Sequence, residues 1–368
     1  MPSGMNRASS EMPRGLSGTP VVLLAAGAGT RLRPLTGTVP KPLAPVVNRP
    51  VFGHLLDLVR RHGGTEVFAN LHYLGHLIEQ AYPPGNSGGL GITYRHESEL
   101  LGTAGGVANF REAIGERTLL VLSGDAFTDV DLSAFLASHR ERGGIATAAL
   151  TRARDVSQFG VVVTDQNGRI EGFQEKPAFE DAMSDLVNCG IYAFEADIFD
   201  FIPPDTFVDF GHDVFPVLLA ARVPFYGWTI DGYWNDIGSI QEYVRSNFDA
   251  LHGLVQVEVP GREMRPFVRV GADVKIGPDV EFAGPVLIGD GCRIGAGAKL
   301  RGPLILGSTC EIGAGAVFSG SIAWSGINAG SDVDLANCIV GDHVTIAPGV
   351  VAEPGSVIAS HAVIAEVT

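Results

Sequence analysis

The stretch VVLLAAGAGTRLRPLTGTVPKPLAPV, from Val21 to Val46, begins as an apolar run and then breaks into a glycine-rich loop. A short apolar run that stops at Gly is typical of a buried strand ending in a turn. Two cations, Arg31 and Lys41, follow that turn. Because open α/β sheets bind ligands beyond the carboxyl ends of their strands, the pattern predicts a loop that holds an anionic ligand.

Two known types of phosphate-binding loop do not fit this stretch. A P-loop requires GxxxxGK followed by Ser or Thr, and the stretch contains no such run. A dinucleotide-binding loop requires GxGxxG; Gly27 and Gly29 supply two of its glycines, but Leu32 occupies the place of the third. The loop is therefore distinguished by its fixed cations, Arg31 and Lys41, rather than by its glycines alone.

Around this loop, short apolar runs alternate with helix-like segments, which predicts an α/β sheet. One helix is expected directly after Pro50, with an apolar stripe and a stop at Gly63 and Gly64. The first 19 residues mix Ser, Gly, Pro and Met without an apolar stretch, so a disordered leader is expected there rather than a signal peptide. The expected division is a leader over 1–19, an α/β domain over 20–253, a linker over 254–266 and a repeat domain over 267–368.

The last of these segments has a six-residue apolar period. Its apolar positions are Val270, Ile276, Phe282, Ile288, Ile294, Leu300, Leu306, Ile312, Phe318 and Trp324. Gly often follows, as in IGPDVE and IGAGAK, which is typical of a hexapeptide-repeat, left-handed parallel β-helix with three hexads in each triangular coil. The period slips between Trp324 and Ile327, which we interpret as a bulging loop, and then resumes. Cys292 and Cys310 are 18 residues apart, one coil, and are expected to stack as small packing residues.

Composition excludes several classes of partner. The chain of 368 residues has a formal net charge of −15 and no long run of either sign, so we expect no nucleic-acid partner and no binding to an anionic membrane surface. No segment could span a bilayer. Four cysteines without a CxxC pair are too few for a disulfide scaffold, so a reducing cytoplasm is the expected location.

The loop is the first of a series of motifs. LAAGAGTRLRPLT with PKPLAPVVNRP resembles the signature of the sugar-1-phosphate nucleotidyltransferases. Further motifs follow in the order of that family: LGTAGG (101–106), LSGD (122–125), FGVV (159–162), EKP (175–177), NCGIY (188–192) and YWNDIG (233–238). The similarity spans residues 20 to about 250, and the hexapeptide tail matches longer members. One departure is Cys189, where many relatives carry Ala; a small thiol is expected to change nothing in function.

The resemblance implies a Rossmann-like nucleotidyltransferase domain with a mixed sheet, followed by the left-handed β-helix. It also implies a reaction in which a nucleoside triphosphate and a sugar 1-phosphate give a nucleotide sugar and pyrophosphate. Two polyanions meet in this reaction, so catalysis depends on positioning and charge neutralisation. Arg31, with a rigid fork of donors, and Lys41, a mobile charge, are the expected catalytic cations. Asp125 ends an apolar run and Asp236 follows another, and two such carboxylates suit Mg²⁺.

Other residues take their roles from the resemblance. The expected nucleotide-binding residues are Ala26, Gly27, Gly29, Glu97, Gly102 and Thr103. The expected sugar-phosphate-binding residues are Gly160, Glu175, Lys176 and Asn188. The Lys176 ammonium suits a phosphate, and the Glu175 carboxylate suits sugar hydroxyls.

The nucleobase depends on one position. Relatives that use thymidine read the base edge with a Gln five residues before the glycine of the middle motif, and here Glu97 occupies that place. A carboxylate can accept both N1–H and N2–H of guanine, whereas the carbonyls of uracil or thymine would repel it. GTP with mannose 1-phosphate is therefore the leading pair. The alternatives are a glucose-1-phosphate nucleotidyltransferase using UTP, dTTP or ATP, a guanylyltransferase for a cyclitol 1-phosphate, and base recognition by backbone groups with Glu97 facing solvent.

Two other classes of function remain open. Hexapeptide β-helices also occur in acyltransferases that use a catalytic His, and His343 and His361 are the histidines of the repeat. A non-catalytic protein that binds sugar nucleotides is another alternative, although the intact set of charged motif residues argues against it. For the repeat itself we expect a role in homo-oligomer assembly or in regulation.

Overall fold

The structure, a computed structural model, describes residues 15–204 and 206–365. Of the leader expected over residues 1–19, the first 14 lie outside the described residues. The last five differ from the expectation: the side chain of Leu16 is fully buried, and its amide donates to the carbonyl of His62 at 2.8 Å. The packed part of the α/β domain therefore begins at least as early as Leu16.

The first domain alternates strands and helices, as predicted. Its strands are β1 (Val21–Leu24), β2 (Pro45–Val46), β3 (Arg49–Pro50), β4 (Glu66–Leu71), β5 (Gly85–Ser87), β6 (Leu90–His96), β7 (Leu119–Ser123), β8 (Ala126–Thr128), β9 (Ala146–Arg152), β10 (Gly160–Thr164), β11 (Ile170–Glu175), β12 (Leu186–Phe194), β13 (Phe225–Thr229) and β14 (Trp234–Asp236). Its α-helices are α1 (Val51–Arg61), α2 (Gly75–Ala81), α3 (Gly102–Ala108), α4 (Arg111–Ile114), α5 (Leu132–Arg142), α6 (Phe215–Ala220) and α7 (Ile240–Leu251). Among the helices described, none combines the length and the apolar character needed to cross a bilayer.

Ten of the strands described in this domain form one mixed sheet. Their order is β11-β10-β12-β7-β1-β4-β6-β5, with β9 beside β12 and β13 beside β9. The four central strands β7, β1, β4 and β6 are parallel, so their carboxyl ends lie at one edge. The glycine-rich loop, Asp125 and Glu97 follow three of these strands, which places them together at that edge.

The second domain is a stack of coils with three sheets, consistent with the predicted left-handed β-helix. Its strands are β15 (Arg262–Arg265), β16 (Val268–Val270), β17 (Lys275–Ile276), β18 (Glu281–Ala283), β19 (Val286–Ile288), β20 (Arg293–Ile294), β21 (Lys299–Arg301), β22 (Leu304–Leu306), β23 (Glu311–Ile312), β24 (Val317–Ser319), β25 (Ile322–Ala323), β26 (Asn328–Ala329), β27 (Asp334–Ala336), β28 (Ile339–Val340), β29 (Thr345–Ile346), β30 (Val357–Ile358) and β31 (Val363–Ile364). All strands after β15 pair with one another in parallel, and β15 pairs antiparallel with β16. Cys292 and Cys310 are buried in its core as free thiols, as expected.

The predicted repeat register is wrong at one corner. Leu306 pairs with Ala323, 17 residues later, whereas Ile288 pairs with Leu306, 18 residues later. One residue is therefore missing at the corner before β25, and there is no bulging loop after Trp324. The same 17-residue spacing recurs from Ala323 to Val340. Ala323 fills the repeat core, while Trp324 packs into the core of the first domain.

A row of outward-facing apolar side chains joins the two domains. Its members occupy the same position in successive coils and are at most 3% exposed: Leu287, Ile305, Ile322 and Ile339. They share one core with Tyr243 of α7. The segment expected as a linker is packed as well, since Val255 is buried and the Gln256 amide donates to Asp129 Oδ2 at 2.7 Å. The β-helix is thus docked against the first domain.

Candidate active site

The glycine-rich loop folds back on itself so that Lys41 lies beside Gly29. Gly29 has φ 60°, and a Cβ at this position would lie 2.7 Å from the Cβ of Lys41. Only glycine combines this left-handed backbone with so close an approach. The Thr36 hydroxyl donates to the Gly29 carbonyl at 2.8 Å, which fixes the returning chain. The side chain of Lys41 is consequently buried at the edge of the sheet.

The ammonium of Lys41 contacts both expected metal ligands. Lys41 Nζ donates to Asp125 Oδ2, and also to Asp236 Oδ1 at 3.2 Å. The two carboxylates meet because β14 pairs with β8 and places Asp236 opposite Ala126. Arg31 is about half exposed, and its Nη2 lies 3.8 Å from Asp236 Oδ2. Both expected cations and both expected carboxylates therefore lie in one cluster.

Burial and charge shift the pKa values of this cluster in different directions. Burial lowers the pKa of Lys41, but the charges of Asp125 and Asp236 outweigh it and raise this pKa overall. Burial opposes ionisation of Asp125, yet Lys41, together with a hydrogen bond from Ser123, holds the pKa of Asp125 below its ordinary value. Burial and the neighbouring Asp125 raise the pKa of Asp236. The Lys41 ammonium and the half-exposed Arg31 therefore do not fully compensate the two carboxylates, and the cluster favours additional positive charge.

The uncompensated negative charge of the two carboxylates suits a hard divalent cation, which prefers oxygen ligands. Within residues 15–204 and 206–365, no group of three or more His, Cys, Asp and Glu side chains could hold a metal ion alone. Mg²⁺ is commonly held by one or two carboxylates together with waters and substrate phosphates. Asp125 and Asp236 fit such a partial donor set.

A cavity of about 440 Å³ opens on the glycine-loop side of the cluster. It is lined by the expected residues Ala26, Gly27, Gly29, Arg31, Lys41, Glu97, Gly102, Thr103 and Asp125. Gly102 has φ 77°, and a side chain there would strike the Val208 carbonyl. The first turn of α3 therefore packs closely against the segment around Val208, and the two together form one wall of this cavity.

Glu97 lies in the loop between β6 and α3 and is buried there. Two hydrogen-bond donors orient its carboxylate. Asn70 Nδ2 donates to Oε1 at 2.8 Å, and the Leu101 amide donates to Oε2 at 3.1 Å. Asn70 is itself fixed, because its Oδ1 accepts from the Ala25 amide at 2.9 Å. The alternative of a solvent-facing Glu97 is thus wrong in this structure. Each carboxylate oxygen retains a lone pair for a further donor.

A second cavity of about 220 Å³ lies on the other side of the carboxylates. It includes the expected residues Asp125, Gly160, Glu175, Asn188 and Asp236. The Asn188 amide group donates to the Tyr192 hydroxyl at 2.7 Å and accepts from the Gly190 amide at 3.0 Å. The larger and smaller cavities share Thr103, Ser123, Asp125 and Asp209, so they meet at the cluster.

Lys176 is the expected site residue that lines neither cavity. Its side chain is 57% exposed, and its ammonium lies 3.2 Å from Glu175 Oε1. Its contact with a sugar phosphate stays a prediction.

Several residues of the two cavities were not predicted. Ser123 and Trp234 lie inside motifs already recognised, LSGD and YWNDIG, and could have been found there. Trp234 Nε1 donates to the Cys189 carbonyl at 2.9 Å, and Asp209 Oδ2 accepts from the Thr103 hydroxyl at 2.8 Å. One feature of the sequence could have indicated Asn70, because this amide stands near the end of the apolar run TEVFANL.

Known proteins match both domains. Residues 20–252 match the family described as nucleotidyl transferase, and residues 267–302 match the bacterial transferase hexapeptide repeats. A relative from Synechocystis named UTP–glucose-1-phosphate uridylyltransferase is 40% identical and covers 73% of each chain. A mannose-1-phosphate guanylyltransferase from Mycobacterium tuberculosis is 36% identical over 70% of this chain and 71% of its own.

Solved structures show the same fold in the first domain. HddC from Yersinia pseudotuberculosis is 24% identical with a TM-score of 0.55, over 62% of this chain and 98% of its own. A putative glucose-1-phosphate thymidylyltransferase from Bacillus anthracis is 22% identical with a TM-score of 0.57, over 66% of this chain and 98% of its own. The family match over most of the first domain confirms the resemblance drawn from the motifs, and the chain belongs to the nucleotidyl transferase family as a sugar-1-phosphate nucleotidyltransferase.

Proposed function

We propose that this chain transfers a guanylyl group from GTP to mannose 1-phosphate, giving GDP-mannose and pyrophosphate. The observation that carries the proposal is the buried Glu97 carboxylate in the wall of the larger cavity. Guanine presents two adjacent donors, N1–H and N2–H, which match a carboxylate acceptor. The base would lie near Glu97, the phosphates near the glycine-rich loop, and the sugar in the smaller cavity.

In this reaction the sugar 1-phosphate would approach from the smaller cavity, and pyrophosphate would leave on the side of the larger cavity. A phosphate oxygen of the sugar 1-phosphate attacks the α-phosphorus of the triphosphate, and a new P–O bond forms. The bond from the α-phosphorus to the bridging oxygen breaks, and pyrophosphate leaves with that electron pair. Negative charge on the transferred and departing phosphates increases along this path. Arg31 and Lys41 would neutralise it from the side of the larger cavity, which is where they lie.

Asp125 and Asp236 are proposed to hold Mg²⁺ together with phosphate oxygens. The bound ion would supply Lewis-acid stabilisation of phosphate charge. Ser123 donates to Asp125 Oδ1 at 2.5 Å, so the hydroxyl keeps one carboxylate oriented toward the cluster. The charge of the bound Mg²⁺ would compensate both carboxylates, and this would weaken their hold on Lys41 and free its ammonium to contact phosphate.

A second candidate is uridylyl transfer to glucose 1-phosphate. It is favoured by the Synechocystis relative, which is 40% identical and is named for that reaction. Uracil offers a single N–H between two carbonyls, so uridylyl transfer requires base contacts other than the Glu97 carboxylate.

The proposal also includes the compartment and the assembly of the chain. The four buried free cysteines fit a reducing compartment. Assembly into a homo-oligomer through the β-helix remains part of the proposal.

A substrate panel tests the base and the sugar together. We expect pyrophosphate release by the full chain to be fastest with GTP and mannose 1-phosphate, among four triphosphates and the 1-phosphates of mannose and glucose. A clear preference for UTP and glucose 1-phosphate would overturn the guanine assignment and support the second candidate.

A matched pair of variants tests Glu97 itself. Glu97→Gln should lower kcat/KM for GTP by roughly 10- to 100-fold, because one charge-assisted acceptor is replaced by a donor. The control is Glu99→Gln, which removes a nearby exposed carboxylate that does not line the larger cavity. Equal GTP kinetics in the two variants would show that Glu97 does not read the base.

A further inference from the structure

The chain immediately after Lys41 forms a tight hairpin with a strained tip. Strands β2 (Pro45–Val46) and β3 (Arg49–Pro50) pair antiparallel, and the tip residues Val47 and Asn48 have φ 44° and 64°. A β-branched residue rarely adopts the left-handed backbone, so the surrounding structure must hold Val47 there. The side chain of Val47 is fully buried.

Two helices of the first domain hold this hairpin. The ring of His54, on α1, donates from Nε2 to the Val46 carbonyl at 3.0 Å. On α7, the Tyr243 hydroxyl donates to the Pro45 carbonyl at 2.6 Å, and Asn247 Oδ1 accepts from the Val47 amide at 2.9 Å. The hairpin is therefore fixed at its base and at its tip.

The β-helix supplies the remaining contacts. Asn48 Nδ2 donates to the Leu306 carbonyl of β22 at 2.7 Å. The indole of Trp324 donates from Nε1 to the Tyr243 hydroxyl at 2.8 Å. Trp324, Tyr243 and the Pro45 carbonyl thus form a continuous chain of hydrogen bonds from the second domain to the hairpin.

The hairpin in turn holds the turn that carries Lys41. The Ala44 amide donates to the Lys41 carbonyl at 3.0 Å, and the Val51 amide donates to the Ala44 carbonyl at 3.2 Å. On its other side, Lys41 packs against Gly29. A shift of the hairpin would therefore move the Lys41 ammonium relative to Asp125 and Asp236.

We propose that Tyr243 and Trp324 are positioning residues for Lys41, and that the β-helix domain is in this way part of the scaffold of the active site. The inference rests on the proposed catalytic role of Lys41, and it holds whichever base and sugar are used. It gives the repeat domain a function within one chain, in addition to any role in assembly.

The test compares two tyrosines that each donate one hydrogen bond to a backbone carbonyl. Tyr243→Phe removes the bond to the Pro45 carbonyl and the acceptor of Trp324 Nε1, and the control Tyr94→Phe removes a bond of 2.6 Å to the Tyr82 carbonyl. We expect both variants to lower Tm, Tyr243→Phe by more because Trp324 Nε1 loses its acceptor. Only Tyr243→Phe should lower kcat, by about tenfold, because misplacing a catalytic group by a fraction of an ångström is costly. The KM for the sugar 1-phosphate should stay within about twofold, since Gly160, Glu175 and Asn188, the expected sugar-phosphate residues of the smaller cavity, lie on β10, β11 and β12.

If Tyr243→Phe does not fold, a second pair of variants tests the same chain of hydrogen bonds. Trp324→Phe keeps an aromatic ring and removes the Nε1 donor, and should lower kcat about threefold. The control Trp228→Phe alters a ring that packs on Phe135. If Tyr243→Phe and Trp324→Phe turn over like their controls while Lys41→Ala is inactive, the positioning role is overturned and the proposed function stands. If Lys41→Ala turns over normally, the role of Lys41 fails, and the positioning proposal fails with it.

Discussion

At the scale of single residues, the reaction centre depends on contacts that the motifs identify only in part. The spacing of Gly29 and Lys41 was visible in the sequence, but the close approach of their Cβ positions was not. Asp125 and Asp236 could be named from their motifs. Their contact with one ammonium follows from the pairing of β14 with β8, which has no local sequence signal. Lys176 was named from its motif as well, yet its side chain lines neither cavity and pairs with Glu175.

A substitution at Gly29 should damage both the fold and the rate. Gly29→Ala adds a Cβ at 2.7 Å from the Lys41 Cβ and places a side chain on a backbone with φ 60°. We expect a loss of at least about 1–2 kcal/mol in the free energy of unfolding and a fall in kcat on the order of 100-fold as Lys41 is displaced. Denaturant melts and pyrophosphate-release assays measure the two effects.

The control for this prediction lies in the same loop. Gly37→Ala adds a Cβ that would have no neighbour within 4 Å, and the backbone at Gly37 is not left-handed. It should be close to wild type in both measurements. Matching behaviour of Gly29→Ala and Gly37→Ala would mean that the contact with Lys41 does not matter.

At the scale of elements, periodicity predicted the type of structure better than its register. The helix after Pro50 and the coils of the β-helix were predicted correctly from apolar spacing. The register at the corner before β25 was predicted wrongly because Trp324 was counted as a residue of the repeat core. Trp324 instead packs in the core shared with the first domain. A single residue missing at a corner changes no composition, so only the pairing of strands exposes it. The hairpin of β2 and β3 was also missed, since its tip lacks the Gly that such turns favour.

The histidine that holds this hairpin should make stability depend on pH. Burial lowers the pKa of His54 from 6.5 to about 4, although the bond to the Val46 carbonyl opposes the shift. Below pH 6.5 the unfolded chain binds a proton that the folded chain excludes, so stability is lost as pH falls toward 4. The expected loss from this group between pH 7 and pH 5 is about 2 kcal/mol.

Denaturant unfolding at the two pH values tests this prediction. His54→Gln removes the titrating ring and retains an N–H donor, so its stability should fall less between pH 7 and pH 5 than that of the wild type. An unchanged pH dependence in His54→Gln would assign the effect to other groups.

At the scale of the whole molecule, the two domains form one packed unit. The sequence predicted two domains with a linker over 254–266, and it contained one sign of their docking. Two strands of one β-helix face consist of three apolar residues, VLI and LIL, whereas two strands of another face, RI and EI, begin with an exposed charged residue. The middle residues of those triplets, Leu287 and Ile305, face the first domain. The segment expected as a linker packs along the first domain instead of separating the two.

Docking of this kind predicts cooperative unfolding. Ile305→Ala should destabilise the protein by about 2–4 kcal/mol and lower the Tm of a single transition shared by both domains. Val317→Ala, at a partly buried position on β24, should cost clearly less. Calorimetry that resolves two transitions, with only the β-helix transition shifted by Ile305→Ala, would contradict a shared core.

The most direct measurement of the central claim is the rate of pyrophosphate release by the wild type and by Asp125→Asn, with and without Mg²⁺. The claim is that Lys41, Asp125 and Asp236 form the centre at which the nucleotidyl group is transferred. The wild type should require the divalent cation, and Asp125→Asn should lose on the order of 100- to 1,000-fold in kcat with its fold intact. Turnover near the wild-type rate in Asp125→Asn, or full activity of the wild type in a chelator, would contradict it.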